Sequence, residues 1–204
     1  VIIAGLGRVG QIVSRVLRGK GIAFTALDVD PTHIESIRKF GNKIYFGDAS
    51  RLDILEAAQA AKATAFVLAI DDVEASVRTA EVVRRHFPDL PIYARARNRN
   101  HVHRLMDLGV KVIHRETFRS ALDMTEDVLK GLGYSKADAA RTVEIFKRQD
   151  EKRLVEGYEN FTDEQKMVEL AKAYAEELEA QFAADAAERA IAEGEASPAP
   201  QLVK

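Results

Sequence analysis

The chain has 204 residues, with 30 Lys and Arg against 32 Asp and Glu, no Cys, no Trp, 12 Gly and 5 Pro. An apolar fraction of 47% and a charged fraction of 30% exclude a disordered chain, a collagen-like repeat and a disulfide scaffold. The absence of Cys also removes thiolate catalysis, iron–sulfur ligation and Cys-ligated zinc, and fits a reducing compartment. No apolar run approaches the roughly 20 residues of a membrane span. Opening on VIIAGLG, inside a strand and without Met, the sequence reads as a piece of a longer polypeptide. Its charge is uneven. Residues 1–120 carry 19 basic and 13 acidic side chains, and residues 121–204 carry 11 and 19. A basic half suited to anions is thus joined to an acidic, solvated half, unless the two merely balance for solubility.

In chain order the elements alternate. Val1–Ala4 is an apolar run of the kind buried on both faces of a parallel sheet. A helix follows from Gln11 to Leu17, with Ile12, Val13, Val16 and Leu17 on one face, and Gly19 and Gly21 close it. Ala23–Leu27 is a second strand. Pro31 opens a helix through Ile34 and Ile37, which Gly41 stops. Strands at Ile44–Phe46, Ala65–Ile70, Ile92–Ala96 and Val110–Ile113 then alternate with helices marked by Leu52 and Leu55, by Val73, Val77 and Val83, and by Val102 and Leu105. This pattern predicts an α/β fold, a doubly wound parallel sheet of about six Rossmann-like strands over residues 1–116.

After Glu116 the strand signal ends. A helical extension covers 117–160, with Ala121, Met124, Val128 and Leu129 on its first helix. A long acidic helix covers 161–193, opened by a Thr162/Gln165 capping box and carrying an apolar stripe through Met167, Leu170, Tyr174, Leu178 and Phe182. Such a stripe must lie against the α/β domain or a partner subunit. Residues 194–204 are low in complexity and read as a disordered tail.

The strongest chemical signal is GLGRVG at the first strand–helix turn. Gly5 permits the tight turn, Gly7 lets the backbone approach a phosphate, and Gly10 lets helix pack on strand. The helix N-terminus then presents free N–H groups to an anion. Asp28, at the end of the second strand, is placed to accept from ribose hydroxyls and to repel a 2′-phosphate. The motif therefore predicts an adenine nucleotide, with Arg8 and Val9 inside the turn contributing to the site. Asp30 either joins it or caps the next helix with Pro31.

Further candidates share the carboxyl edge of the sheet. Gly47, Asp48 and Ala49 follow the third strand, where Asp48 either holds the adenine or ribose edge or caps a helix. Ile70 and Asp71 end the fourth strand, capping being the better reading of the Asp71-Asp72 pair. Arg95, Arg97 and Arg99 form either a clamp for phosphates or carboxylates, or a solvated basic loop.

Enzymatic signals are thin. No Tyr is followed by Lys four residues on, and no Gly-x-Ser-x-Gly elbow or P-loop Lys is present. No catalytic residue is assigned. His101, His103 and His114 are poorly spaced for zinc, so no metal site is expected. The Arg95–Arg104 stretch lacks an aromatic platform for nucleic acid.

The segments VIIAGLGRVGQ, ALDVDP, IRKFG, YFGDAS, IYARARN and HRETF, in this order, closely resemble the cytoplasmic nucleotide-binding (KTN, or RCK) domain of Kef-type glutathione-gated potassium efflux systems. The resemblance covers roughly residues 1–150. It implies a regulatory rather than enzymatic role, on the cytoplasmic face of a membrane, below an antiporter domain of the same polypeptide. It also implies a homodimer, AMP or NAD(H) in the fingerprint cleft, and in some relatives a flavodoxin-like ancillary oxidoreductase. Glutathione would hold the closed state and glutathione S-conjugates the open one. The glutathione pocket carries over to Arg15 on the first helix, to Arg115 of the RETF motif, and to Phe40, which a bulky adduct would displace. It extends to Asp150, where relatives have Asn and where an Asp accepts from the ligand's amine or amides, and to Arg119, where a relative has Glu. The alternatives are a free-standing NAD(H)-dependent reductase and a nucleotide-gated subunit of potassium uptake.

Overall fold

A computed structural model describes residues 1–31, 43–160 and 164–192. Expectations that fall on residues 32–42, Phe40 among them, lie outside the described residues, as do Thr162 of the capping box and the tail. The chain divides into two compact units, Val1–Arg119 and Ser120–Lys204.

The first unit is a six-stranded sheet. Strands β1 (Ile2–Ala4), β2 (Thr25–Asp28), β3 (Lys43–Phe46), β4 (Phe66–Leu68), β5 (Ile92–Ala96) and β6 (Val112–Arg115) lie in the order β3-β2-β1-β4-β5-β6, with every neighbouring pair parallel. The order reverses beside β1, so a crevice opens there at the carboxyl edge of the sheet. Helices α1 (Arg8–Gly19), α2 (Leu52–Ala57), α3 (Val73–His86) and α4 (Arg99–Asp107) provide the crossovers. Their starts follow from local chemistry. Asp72 caps α3 by accepting from the Ala75 N–H at 2.7 Å, and Asn98 caps α4 by accepting from the His101 N–H at 2.9 Å. Arg84, Arg85 and His86 complement the dipole in the last turn of α3.

The central strands are apolar throughout because both faces are covered. Ile2, Ile3, Leu27, Phe66 and Leu68 are all buried, and each such side chain contributes about 1.5–3 kcal/mol relative to exposure. Two expectations shift. β6 begins at Val112 rather than Val110; Val110 is buried and donates its N–H to the Leu105 carbonyl, so it closes the turn before the strand. The apolar face of α1 is split: Val13 and Leu17 pack on the Ile3–Leu6–Ala26 cluster, whereas Ile12 and Val16 are 62% and 60% exposed. Successive helical residues lie about 100° apart, and the sheet covers only one side of that wide stripe.

The second unit is helical. Helix α5 (Phe118–Gly131) leads into it, α6 (Lys136–Glu156) is capped by Ser135, and α7 runs Glu164–Ala192. α6 runs through Lys147–Arg153, inside the helical extension expected over 117–160, and i,i+3 and i,i+4 pairs of Glu144 with Lys147 and Arg148 support its exposed face. α7 packs back against α6. The Arg153 guanidinium lies 4.2 Å from the centroid of the Tyr174 ring, and Arg141 pairs with Asp185. Since 153 meets 174 and 141 meets 185, the two helices run antiparallel. Tyr174 of the stripe on α7 thus meets a residue of α6 within the chain, whereas Leu170 is 38% exposed.

Candidate functional site

The turn between β1 and α1 has the geometry its glycines imply. Gly5 stands at φ +92°, and a Cβ there would lie 2.8 Å from the Ala69 carbonyl carbon and from the Ile70 nitrogen. A Cβ on Gly10 would fall 1.9 Å from the Gly5 carbonyl oxygen, so helix and strand touch at that point. A Cβ on Gly7 would meet nothing within 4 Å. The two packing glycines are fixed by the protein itself, and Gly7 borders open space. α1 starts at Arg8, inside the motif, with no side chain capping it and no acidic residue in its first turn. Its N–H groups and positive dipole end therefore face that space. Val9 is half-buried behind it.

Asp28 is buried at the end of β2. Its Oδ2 accepts from the Leu6 N–H at 2.5 Å and its Oδ1 from the Asp30 N–H at 2.7 Å. The carboxylate thus braces the glycine turn. Asp30 is half-buried just beyond it. Next along the edge, the Gly47 N–H donates to the Asp28 carbonyl, and a Cβ on Gly47 would meet Ile54 at 2.8 Å, so this glycine serves the packing of α2. Asp48 is exposed and folds its own turn by accepting from the Ser50 N–H at 2.9 Å, while Arg51 takes the cap position of α2. The capping alternative for Asp48 therefore does not hold. Ala49 is buried beside it.

On the other side of β1, the Asp71-Asp72 pair divides its labour. Asp72 caps α3, and Asp71 pairs with Arg95 and, at 3.1 Å, with Arg97. The Arg95 hydrogen bond holds the Asp71 carboxyl below its ordinary range. Ile70 is half-buried against Gly5. Arg95 is not part of a solvated loop: it is buried, donates to the Ala69 carbonyl at 3.3 Å and pairs with both Asp71 and Glu116. Glu116 closes the circuit by accepting from Arg8 at 2.8 Å. Sequence reading passed over Glu116 although it stands in the HRETF segment. Its position directly after the last strand, on the ligand edge and opposite Arg95, is the signal that marks it.

The remaining candidates lie on different elements. Arg15 is exposed on α1, within 3.5 Å of Gln11 Oε1. Arg115 ends β6 with its guanidinium 3.7 Å from the centroid of the Phe118 ring, and Arg119 is exposed as the second residue of α5. Asp150 is only 2% exposed, on α6 in the second unit. His101 and His103 are buried, whereas His114 is exposed on β6. His101 Nδ1 accepts from the Arg97 N–H at 3.2 Å, which leaves the proton on Nε2, 3.1 Å from Ser76 Oγ. Burial, reinforced by Arg104 and Arg95, pushes its pKa down to about 4. Among the described residues no helix is long and apolar enough to cross a membrane.

Comparison with known proteins adds to this geometry. Residues 1–116 match the family model "TrkA-N domain" and residues 120–198 match "Potassium efflux system KefB C-terminal domain". A glutathione-regulated potassium-efflux system protein KefC from Salmonella arizonae is 46% identical over 147 residues, which is 72% of this chain but 24% of that protein. The chain therefore spans about a quarter of the length of the curated relatives it matches. The Kef C-terminal domain of Shewanella denitrificans, solved in an AMP-bound form, is 39% identical with a TM-score of 0.71, covering 77% of this chain and 96% of that one. The TrkA-N domain of the Escherichia coli inner membrane protein ybaL shares the fold at 23% identity and a TM-score of 0.57, covering 61% and 93%. With an open glycine turn at the switch point of a 3-2-1-4-5-6 parallel sheet and a family model spanning that entire unit, the chain belongs to the TrkA-N domain family, followed by a KefB-type C-terminal domain.

Proposed function

We propose that this chain is the regulatory module of a potassium efflux antiporter, binding an adenine nucleotide at the glycine turn and responding to glutathione and its S-conjugates. The observation that carries the reading is the 46% identity to a glutathione-regulated potassium-efflux protein across 147 residues, 72% of this chain. The AMP-bound form of the 39%-identical neighbour supports AMP as the nucleotide, with NAD(H) the other adenine nucleotide the cleft suits. In this reading Gly7, Arg8 and Gly10 hold phosphate, and Asp28, already braced by Leu6 and Asp30, accepts from the ribose.

Arg15 and Arg115 supply two guanidinium forks for the two carboxylates of glutathione. The Phe118 ring beneath Arg115 limits the rotamers that guanidinium has to give up on binding. Phe40 is the side chain a bulky sulfur substituent displaces; Arg119 and Asp150 complete the pocket in the resemblance. Gating is then a population shift, in which glutathione and its adducts bind two arrangements unequally. The exposed Ile12 and Val16 on α1 and Met124 and Val128 on α5 support pairing with a second copy, the arrangement that would be gated. The antiporter domain of the same polypeptide, a cytoplasmic-face location and a flavodoxin-like ancillary subunit follow from the same reading.

The test is calorimetry on this chain. AMP is titrated first, then glutathione and a bulky S-conjugate into the nucleotide-loaded protein. Saturable binding of both glutathione and its S-conjugate, tighter for the conjugate and abolished by Arg15→Ala or Arg115→Ala with AMP binding intact, is the expected result. No heat from either of them, with AMP still bound, leaves a domain gated by nucleotide alone.

A further inference from the structure

We propose that Arg95 is a positioning residue that makes the glycine turn selective for an anionic ligand without touching that ligand. The inference rests on the nucleotide reading above and goes beyond it by assigning the source of the charge preference.

Arg95 lies on β5 with 7% of its side chain exposed, and both of its terminal nitrogens are already engaged. Nη1 donates to the Ala69 carbonyl, and Nη2 is shared between Asp71 Oδ1 and Glu116 Oε2. Nε is buried and has no hydrogen-bond partner among the described residues. A guanidinium so placed does not reach out to clamp a phosphate. Each carboxylate it holds reaches onward to a second arginine: Glu116 to Arg8 at 2.8 Å, and Asp71 to Arg97 at 3.1 Å. Arg95 is therefore the hub of a chain running Arg8–Glu116–Arg95–Asp71–Arg97.

The charges decide what the hub does. Three guanidinium groups face two carboxylates, leaving one net positive charge beside the turn. Glu116 is only 12% exposed, so water compensates it poorly. Arg8, by contrast, is 81% exposed and held at one nitrogen, free to turn toward an anion. Without Arg95 the cluster would be neutral, with a poorly solvated carboxylate directly behind Arg8 and close to the incoming phosphate. The link to the turn is physical: the Ala69 carbonyl that Arg95 holds is the one a Gly5 Cβ would approach to 2.9 Å. Arg95 thus holds two carboxylates in place, uses them to aim Arg8 and Arg97, and cancels the repulsion they would otherwise exert.

The experiment compares AMP with adenosine, which offers the same base and ribose without the charge, by calorimetry on the wild-type chain and its variants. Arg95→Met is expected to lower the preference for AMP over adenosine by about tenfold or more. Arg95→Lys, which keeps the charge, should hold the preference within a few-fold of wild type. Arg95→Met/Glu116→Gln, which removes one charge of each sign, should recover most of what Arg95→Met loses. Should Arg95→Met not fold, Arg95→Gln makes the same charge change with a side chain that still donates a hydrogen bond. Equal weakening of AMP and adenosine, or no recovery in the double variant, assigns Arg95 to packing alone and overturns the proposal. Failure of wild type to bind either compound removes the nucleotide reading and the proposal with it, whereas AMP binding with a preference that Arg95 variants leave unchanged removes only the proposal.

Discussion

The two units of this chain are held together by different means. The α/β unit buries continuous apolar strands and fixes its turn with glycines that no other residue can replace. The helical unit keeps long, charged, largely exposed helices in place with pairs at their surfaces, such as Arg153 on Tyr174 and Arg141 with Asp185. Buried contacts are many and cooperative, and removing one atom group strands its neighbours. Surface pairs are few, solvated and individually worth little. A ligand site that needs sub-ångström placement suits the first construction. An element that must shift between arrangements suits the second.

The sharpest way to break this contrast is at Gly10. Gly10→Ala places a methyl group 1.9 Å from the Gly5 carbonyl oxygen, and neither backbone has room to yield. The expected cost is on the order of 4 kcal/mol or more, read as loss of the α/β unit's cooperative melting transition. A variant melting like wild type would mean that the helix–strand contact is softer than its geometry.

A smaller effect comes from pH, and it too should be confined to the first unit, because all five histidines lie within residues 1–119. His101 titrates at about 4 in the folded chain against about 6.5 when unfolded. Its stabilising contribution is complete above pH 6.5 and is lost as pH falls toward 4, since only the unfolded chain takes up the proton in that window. The loss amounts to about 3 kcal/mol, measurable by denaturant unfolding at pH 7 and pH 4.5. His101→Gln should flatten that dependence; an unchanged slope would place the acid sensitivity in the carboxylates held by arginine, such as Asp71 and Glu74.

The smallest effect sharpens the other side of the comparison. Arg153→Ala removes the guanidinium from Tyr174 and should cost the helical hairpin about 0.5–1 kcal/mol, with the α/β transition unmoved. Helical content followed by circular dichroism, alongside nucleotide binding as the readout of the first unit, separates the two. Coupled loss of both would show that the units are less independent than their construction implies.

Much of this was legible in the residues. Alternating apolar strands and helices, the spacing of Gly5, Gly7 and Gly10, and Asp28 after the second strand determined the fold class and the location of the ligand crevice. These signals are local: a strand buried on both faces must be apolar along its length, and a turn that touches its neighbours must be glycine. Tertiary structure alone decided which residues meet across distance. Nothing local pairs Arg95 with Glu116, 21 residues away, or Arg8 with the same carboxylate, 108 residues away. Nor does composition reveal that Arg95 is buried while Arg97, two positions on, is exposed; β5 ends at Ala96 between them, and Arg95 inside the strand shares the enclosure of the sheet. The partner of the long helix was undecidable for the same reason. An apolar stripe states that something must cover it, but only the tertiary structure brings Tyr174 of that stripe against Arg153 of α6.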